Sequence, residues 1–245
     1  MIYIKRWFEY YDELFRVEEN QQEFIENICK AASSPKKLLS VECGPGTISK
    51  RLAKKDYEVT VTDSFPEFIN CINNNQNVDK SSLHAFNLVP QDIGRYLGKN
   101  FFDIIICCNY RLIFMNNKAL ITKFLVDCKQ LLKDGGSLVL DLINFSKYDF
   151  SEDRIDLPQK SCERATLYSY LVKNKETAAY NLNQYVITSS GKRIDEVVDH
   201  EVSPVSLETF KKLAEELQLK IEFFSDYKGT PYKTDSDKII CVLRK

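Results

Sequence analysis

The sequence lacks any apolar run long enough to cross a bilayer, because even its most apolar stretch, residues 101–108, is far shorter than a membrane span. Residues 1–6 also lack the apolar centre and cleavage site of a secretory signal. There is no excess of either charge, since 34 Lys and Arg balance 35 Asp and Glu. We therefore expect a cytoplasmic protein with no membrane partner and no nucleic-acid partner.

Paired metal ligands are also missing. The chain has eight cysteines but no C-x-x-C pair, and only two histidines, His84 and His200. Several cysteines fall within apolar strand or helix patterns, where a thiol behaves as a small hydrophobic group. We expect reduced thiols and no metal site.

Apolar strand patterns alternate with amphipathic helix patterns over the first part of the chain. The spacing predicts strands over 38–42, 57–62, 83–86, 101–108 and 137–142. It predicts helices over 19–32, 47–54, 66–73 and 118–132, the last of them ended by Asp134-Gly135-Gly136. This β-α repetition predicts a parallel sheet covered on both faces, and 245 residues suffice for one such domain with a modest appendage.

The pattern changes after about residue 145. Three segments, 166–172, 180–188 and 193–202, indicate an antiparallel insert of three strands. Ser206 then caps a predicted helix to about residue 217, and strands over 219–224 and 239–243 should pair antiparallel at one edge of the main sheet. The predicted organisation is an N-terminal cofactor-binding half (1–145), a β insert or cap (146–205) and a C-terminal helix and strand pair (206–245).

The most specific local signal is Gly44-Pro45-Gly46, directly after the first predicted strand. Glycines at a strand-to-helix turn let backbone N–H groups approach a ligand closely. Asp63 ends the next strand, where a carboxylate can accept hydrogen bonds from both ribose hydroxyls. Together these features predict a nucleoside-type cofactor. The alternative is a turn that needs glycine only for steric reasons, with Asp63 capping the following helix.

Three further stretches, 61–69, 102–110 and 131–140, complete a resemblance to class I S-adenosylmethionine-dependent methyltransferases of the small-molecule type. The resemblance implies a Rossmann-like, doubly wound, mostly parallel seven-stranded sheet with an antiparallel last strand. It also implies S-adenosylmethionine as the cofactor and transfer of a methyl group to a small-molecule acceptor.

The same resemblance assigns the cofactor site. It implies that Asp63 binds the ribose, that Asn87 bonds the adenine amino group with Leu88 against the ring, and that Tyr11 belongs to a lid. The residues implied to contact the cofactor are Ser40, Glu42, Cys43, Gly44, Gly46, Asp63, Ser64, Asn87, Leu88, Asn109, Tyr110 and Tyr11.

The first motif departs from the family pattern at two positions. Ser40 stands at the usual acidic position, and Glu42 stands at the usual first glycine. Since S-adenosylmethionine carries a sulfonium and an ammonium, we hypothesise that Glu42 replaces the ammonium partner lost at Ser40. The alternative is that Glu42 points elsewhere and the motif is degraded.

No dedicated catalytic residue is obligatory, because methyl transfer depends chiefly on alignment of donor and acceptor. Tyr110 and His200 are the weak catalytic candidates, and Asn109, Asn144 and Tyr11 are further candidates for acceptor contact. His200 could act as a base, although a strand histidine is more often a surface or interface residue. The absence of an Asn-Pro-Pro-aromatic sequence at Asn109 also argues against a nucleic-acid acceptor.

Two other functions remain open at this stage. Gly44-x-Gly46-x-x-Ser49 followed by Asp63 approximates the fingerprint of an NAD(P)-dependent oxidoreductase. The changed residues Ser40 and Glu42 favour instead a non-catalytic S-adenosylmethionine-binding protein. The insert could also serve a homodimer contact.

Overall fold

The computed structural model describes residues 8–74, 82–115, 117–177, 179–202 and 204–245. Residues 1–6, for which we expected no secretory signal, lie outside the described residues. The strands are β1 (Lys36–Val41), β2 (Tyr57–Asp63), β3 (Leu83–Asn87), β4 (Phe102–Cys107), β5 (Leu132–Ile143), β6 (Arg154–Asp156), β7 (Lys160–Ser161), β8 (Ala165–Lys173), β9 (Tyr180–Thr188), β10 (Arg193–Val202), β11 (Lys220–Phe224) and β12 (Lys238–Arg244). The α-helices are α1 (Tyr11–Leu14), α2 (Gln21–Ile28), α3 (Thr47–Ala53), α4 (Pro66–Asn73), α5 (Ile93–Tyr96), α6 (Lys118–Leu131) and α7 (Leu207–Glu216).

Seven strands form the main sheet, in the order β11-β12-β5-β4-β1-β2-β3. The pairs from β5 through β3 are parallel, whereas β12 runs antiparallel to both β5 and β11. The predicted mostly parallel sheet with its antiparallel C-terminal strand is therefore confirmed.

Alternate side chains of each central strand enter two separate cores. In β1, Leu38 packs on the side of α2, α3 and α4, and Leu39 packs on the side of α5, α6 and α7. Both residues have no exposed surface. Such burial on both faces explains why the strand patterns read as continuous apolar runs.

The start of β5 differs from the sequence prediction. Asp134-Gly135-Gly136 does not separate the helix from the strand, because α6 ends at Leu131 and β5 begins at the next residue. The pairing with β4 jumps between Phe102 opposite Leu132 and Ile104 opposite Ser137, so the glycines lie in an irregularity within the strand. Glycine-rich segments inside strands are typical of such irregularities.

The second sheet has five strands, with the path β10-β9-β8-β6 and β7 paired to β8. The predicted separate antiparallel sheet is confirmed, but the three predicted strands are joined by β6 and β7. Both lie in the polar stretch 146–163. With three and two residues, they are too short to show an alternation of apolar and polar side chains. The division of the chain into 1–145, 146–205 and 206–245 remains a prediction. Strands β6 to β10 all lie within residues 146–205.

The N-terminal segment connects the two sheets. Tyr11 and Leu14 of α1 pack with Phe68 of α4 and with Leu167 and Val186 of the second sheet. The Tyr11 ring also lies against Gly44, so α1 is next to the turn that follows β1.

Among the described residues, no helix has the length and apolar character needed to span a membrane.

Candidate active site

The turn after β1 uses left-handed backbone at several positions. Glu42, Gly44 and Gly46 have φ values of 52°, 59° and 73°. Glu42 thus occupies a conformation that usually favours glycine. A Cβ atom on Gly44 would lie 2.7 Å from Cε1 of Tyr11, so glycine is what permits the buried Tyr11 ring to lie against the turn. Thr47 at the start of α3 also donates a hydrogen bond to Asp12, at 2.5 Å.

Asp63, the predicted ribose partner, is fully buried at the end of β2. Its Oδ2 accepts a hydrogen bond from the Gly44 N–H and its Oδ1 accepts one from the Phe65 N–H, each at 2.8 Å. Burial, followed by the nearby Glu42 carboxylate, raises the pKa of Asp63 to about 7. Asp63 therefore ties the glycine turn to the segment before α4, although it does not cap that helix, whose N-cap residue is Phe65. Its contact with a ribose stays a prediction.

Glu42 forms a buried ion pair with Arg111, and the two side chains are only 7% and 4% exposed. Glu42 also accepts hydrogen bonds from the hydroxyl of Ser64 and from its N–H, the latter at 3.1 Å. Burial alone lowers the pKa of Arg111, but Glu42 and other nearby groups raise it overall. The charge of Glu42 is thus balanced by Arg111. We had hypothesised that the ammonium group of the cofactor would balance it.

Arg111 was missed by the sequence reasoning. It begins a short 3₁₀ helix, Arg111–Phe114, immediately after the Asn109-Tyr110 segment that the motif comparison singled out. Its guanidinium lies 5.0 Å from the ring centroid of Phe114 and 5.7 Å from that of Phe65. The sequence signal for Arg111 was its position directly after the Asn109-Tyr110 segment. A buried arginine at that position needs an acidic partner.

Asp141 near the end of β5 was also missed. It is 4% exposed, and its Oδ2 accepts hydrogen bonds from the Tyr227 hydroxyl at 3.3 Å and from the Asn109 N–H at 3.4 Å. Burial raises its pKa to about 6, although Lys238 and Lys160 oppose this shift. Asp141 is therefore a second buried carboxyl group near the site, in addition to Asp63, and it contacts the backbone of Asn109.

The adenine-side prediction concerns Asn87 and Leu88, at the end of β3. Asn87 is exposed and donates a hydrogen bond from Nδ2 to the backbone oxygen of Asp63, at 2.8 Å. Leu88 is half-buried. The structure thus holds Asn87 beside Asp63, and its contact with an adenine stays a prediction.

Glu42 lines two clefts. One has a volume of about 410 Å³ and is lined by Ser40, Cys43, Thr47 and Asn109, among others. The other, of about 480 Å³, is lined by Ser64, Phe65, Gln91 and Arg111, among others. The clefts are lined by the hydroxyl groups of Ser40, Thr47 and Ser64 and by the carboxylates of Asp12 and Glu42, whereas the fully buried Asp63 lines neither. Hydroxyl and carboxylate groups can bind the ammonium and ribose groups of S-adenosylmethionine, so this set of side chains fits the cofactor.

Comparison with known proteins supports the same interpretation. Residues 39–138 match the model of a methyltransferase domain. This part of the chain is therefore similar to a methyltransferase domain. No curated protein matched the sequence.

Solved structures resemble the whole chain. An S-adenosylmethionine-dependent methyltransferase from Clostridium acetobutylicum has 19% identity and a TM-score of 0.75, covering 96% of each chain. The CcbJ methyltransferase from Streptomyces caelestis has 12% identity and a TM-score of 0.77, covering 97% of this chain and 95% of its own. CalS10, an amino pentose methyltransferase from Micromonospora echinaspora solved with its cofactor bound, has 16% identity and a TM-score of 0.66, covering 100% and 99%. The chain thus has the class I methyltransferase fold.

A third cavity, with about 580 Å³ of empty space including its opening to solvent, lies between the loops of the main sheet and the second sheet; we call it the acceptor cavity. About half of its lining residues are apolar, and its polar members are Asn109, Arg111, Lys160, Ser169, Gln184 and Asp237. It shares Tyr11 and Asn109 with the first cleft and Arg111 with the second. The acceptor cavity therefore adjoins both parts of the predicted cofactor site.

The structure separates the predicted acceptor contacts into two groups. Tyr110, Asn109 and Tyr11 line the acceptor cavity. Asn144 does not, because its buried amide donates to the backbone oxygens of Thr234, at 3.0 Å, and Ser236, at 2.8 Å. The sequence could not reveal this, since the loop partners lie about ninety residues further along the chain.

His200 also lies outside the residues that line the acceptor cavity. Its ring packs beside Phe114 with centroids 5.7 Å apart, and burial lowers its pKa. His200 therefore contacts Phe114, a residue of the cavity lining, and its catalytic role stays a prediction.

Proposed function

We propose that this protein is an S-adenosylmethionine-dependent methyltransferase that acts on a small molecule. The observation that carries the proposal is the shared lining of the acceptor cavity and the two clefts beside Glu42, through Tyr11, Asn109 and Arg111. A donor in the clefts and an acceptor in the cavity would meet at these residues. The near-zero net charge suits a small acceptor better than a nucleic acid.

The cofactor would supply an activated methyl group for an in-line displacement. The protein's contribution is then alignment and exclusion of water. The turn from Glu42 to Gly46 would position the donor, and Tyr110 would lie against the acceptor. Tyr11, which packs on Gly44, would close the N-terminal side.

Calorimetry with S-adenosylmethionine and S-adenosylhomocysteine tests the cofactor assignment, and NADH serves as the competing ligand. We expect binding of both sulfur ligands and none of NADH. Asp63→Asn should weaken binding by about tenfold, because the new amide NH2 would face one of the two backbone N–H groups that Asp63 accepts from and would displace the glycine turn. The exposed Asp235→Asn variant is the matched control and should bind normally. Binding of NADH alone would overturn the proposal.

A second candidate function is cofactor binding without turnover. The observation that favours it is the ion pair between Glu42 and Arg111. Glu42 stands where the family usually has a glycine, and its charge is already paired within the chain. Screening phenol, amine and carboxylate acceptors for release of S-adenosylhomocysteine distinguishes the two functions. Product release supports the methyltransferase, whereas binding without release from any acceptor supports the binding protein.

A further inference from the structure

Lys160 is a cation in the wall of the acceptor cavity. It lies on β7, one of the short strands that the sequence did not predict, and it is half-buried. Its Nζ lies 4.8 Å from the ring centroid of Tyr110 and 5.1 Å from that of Phe15. Two aromatic rings of the cavity thus flank the ammonium group.

Lys160 has no ion pair within 4.0 Å and no side-chain hydrogen bond among the described residues, whereas the half-buried Lys238 pairs with Glu18. Burial lowers the pKa of the Lys160 ammonium, and Asp141 only partly opposes this effect. Aromatic faces attract a cation, but they do not replace a hydrogen-bonded anion. Asp237, the carboxylate that lines the cavity, pairs instead with Lys147, so among the described residues Lys160 has no contacting counter-ion.

Gln184 on β9 adds an unused acceptor to the same wall. Its Nε2 donates to the Ser169 hydroxyl at 2.8 Å, while its Oε1 is buried and has no hydrogen-bond partner among the described residues. The sheet register explains the grouping, because Lys160 pairs with Leu167 on β8 and Ser169 pairs with Gln184. A buried acceptor without a donor is costly, so a ligand that donates there would be favoured.

We propose that the methyl acceptor is a small organic anion with an apolar body, whose anionic group binds Lys160 and whose hydroxyl or amine donates to Gln184. This inference rests on the proposed function, because it names the substrate class of the same site. The apolar lining supplied by residues such as Leu167 and Leu182 would cover the body of the molecule.

The test measures binding of matched probes by calorimetry, with S-adenosylhomocysteine present and absent. The probes are 4-hydroxybenzoate, its neutral amide 4-hydroxybenzamide, benzoate and phenyl phosphate. We expect 4-hydroxybenzoate to bind about tenfold tighter than the amide, since a hydrogen bond between two charged groups is stronger than one to a neutral amide. Phenyl phosphate binding tighter than both carboxylates would assign the anion as a phosphate, within the same class.

Two variants of Lys160 separate charge from packing. Lys160→Met should abolish the preference for 4-hydroxybenzoate over the amide, and Lys160→Arg should keep it. Lys192→Met, an exposed lysine of the same insert, is the matched control and should keep the full preference. Gln184→Leu should weaken 4-hydroxybenzoate more than benzoate, because only the former carries a donor.

The outcomes distinguish this inference from the proposed function. Equal affinity for acid and amide, or a preference that survives in Lys160→Met, would overturn the anion site even if S-adenosylhomocysteine binds. Absence of S-adenosylhomocysteine binding would overturn the proposed function. In that case, an acid preference that depends on Lys160 would still establish the anion site.

Discussion

The glycine turn and the acceptor cavity lie side by side but treat their polar groups in opposite ways. Around the turn, Glu42 is paired with Arg111, and both oxygens of Asp63 accept backbone hydrogen bonds. In the cavity, Lys160 and the Oε1 of Gln184 have no such contacts among the described residues. The difference indicates that the turn is stabilised by the chain itself, whereas the cavity is completed by a ligand.

The largest effect is expected for Arg111→Met. This change leaves the buried Glu42 carboxylate without its cation, which typically costs about 3–5 kcal/mol. Urea denaturation should show the loss, and adding Glu42→Gln should recover much of it. Lys212→Met, which breaks the exposed pair with Glu208, should cost below about 1 kcal/mol. Equal losses for Arg111→Met and Lys212→Met would show that the turn does not depend on its internal ion pair.

The next effect concerns pH and Asp141. Its folded pKa of about 6 lies above the ordinary value, so the native state retains a proton that the unfolded chain has lost. Wild-type stability contributed by this group is therefore full below about pH 4 and is lost as the pH rises through about 6. Asp141→Asn should remove this loss, and its stability relative to wild type should rise by about 2 kcal/mol between pH 4 and pH 7.

Urea denaturation at several pH values measures this difference, in which the contributions of other groups cancel. Asp235→Asn is the control, because the exposed Asp235 should give a curve parallel to wild type. A parallel curve for Asp141→Asn as well would mean that Asp141 ionises in the native state as it does in the unfolded chain.

The smallest effect isolates the contact between Tyr11 and the turn. Gly44→Ala should destabilise the protein by about 1–3 kcal/mol more than Gly135→Ala. Both glycines have positive φ, but a Cβ on Gly135 meets no atom of the described chain within 4 Å, whereas one on Gly44 meets Tyr11. Thermal or urea unfolding compares the two variants directly. An equal cost in both would show that Tyr11 does not pack firmly on the turn.

Much of the fold followed from local patterns. Strand β2 and helix α4 were predicted within one residue, because apolar runs and Pro66 mark their limits. The cap at Ser206 was also correct, since its hydroxyl accepts a hydrogen bond from the Thr209 N–H. Strands β6 and β7 were missed, because their pairing with β8 comes from the tertiary structure rather than from their own composition.

The site divides in the same way. The sequence located the glycine turn, Asp63 and the Asn109-Tyr110 segment, since each lies at the end of a predictable strand. It did not locate Arg111 opposite Glu42, because their approach spans 69 positions of the chain. It also gave no reason to single out Lys160 or Gln184, which reach one cavity only through the register of the second sheet.

The sequence by itself therefore determined the α/β architecture and the position of the glycine turn, because both depend on short-range periodicity and backbone freedom. Only the tertiary structure decided which charges are balanced. Burial and distance set the environment of each charge, so Glu42 is paired while Lys160 remains without a contacting anion among the described residues.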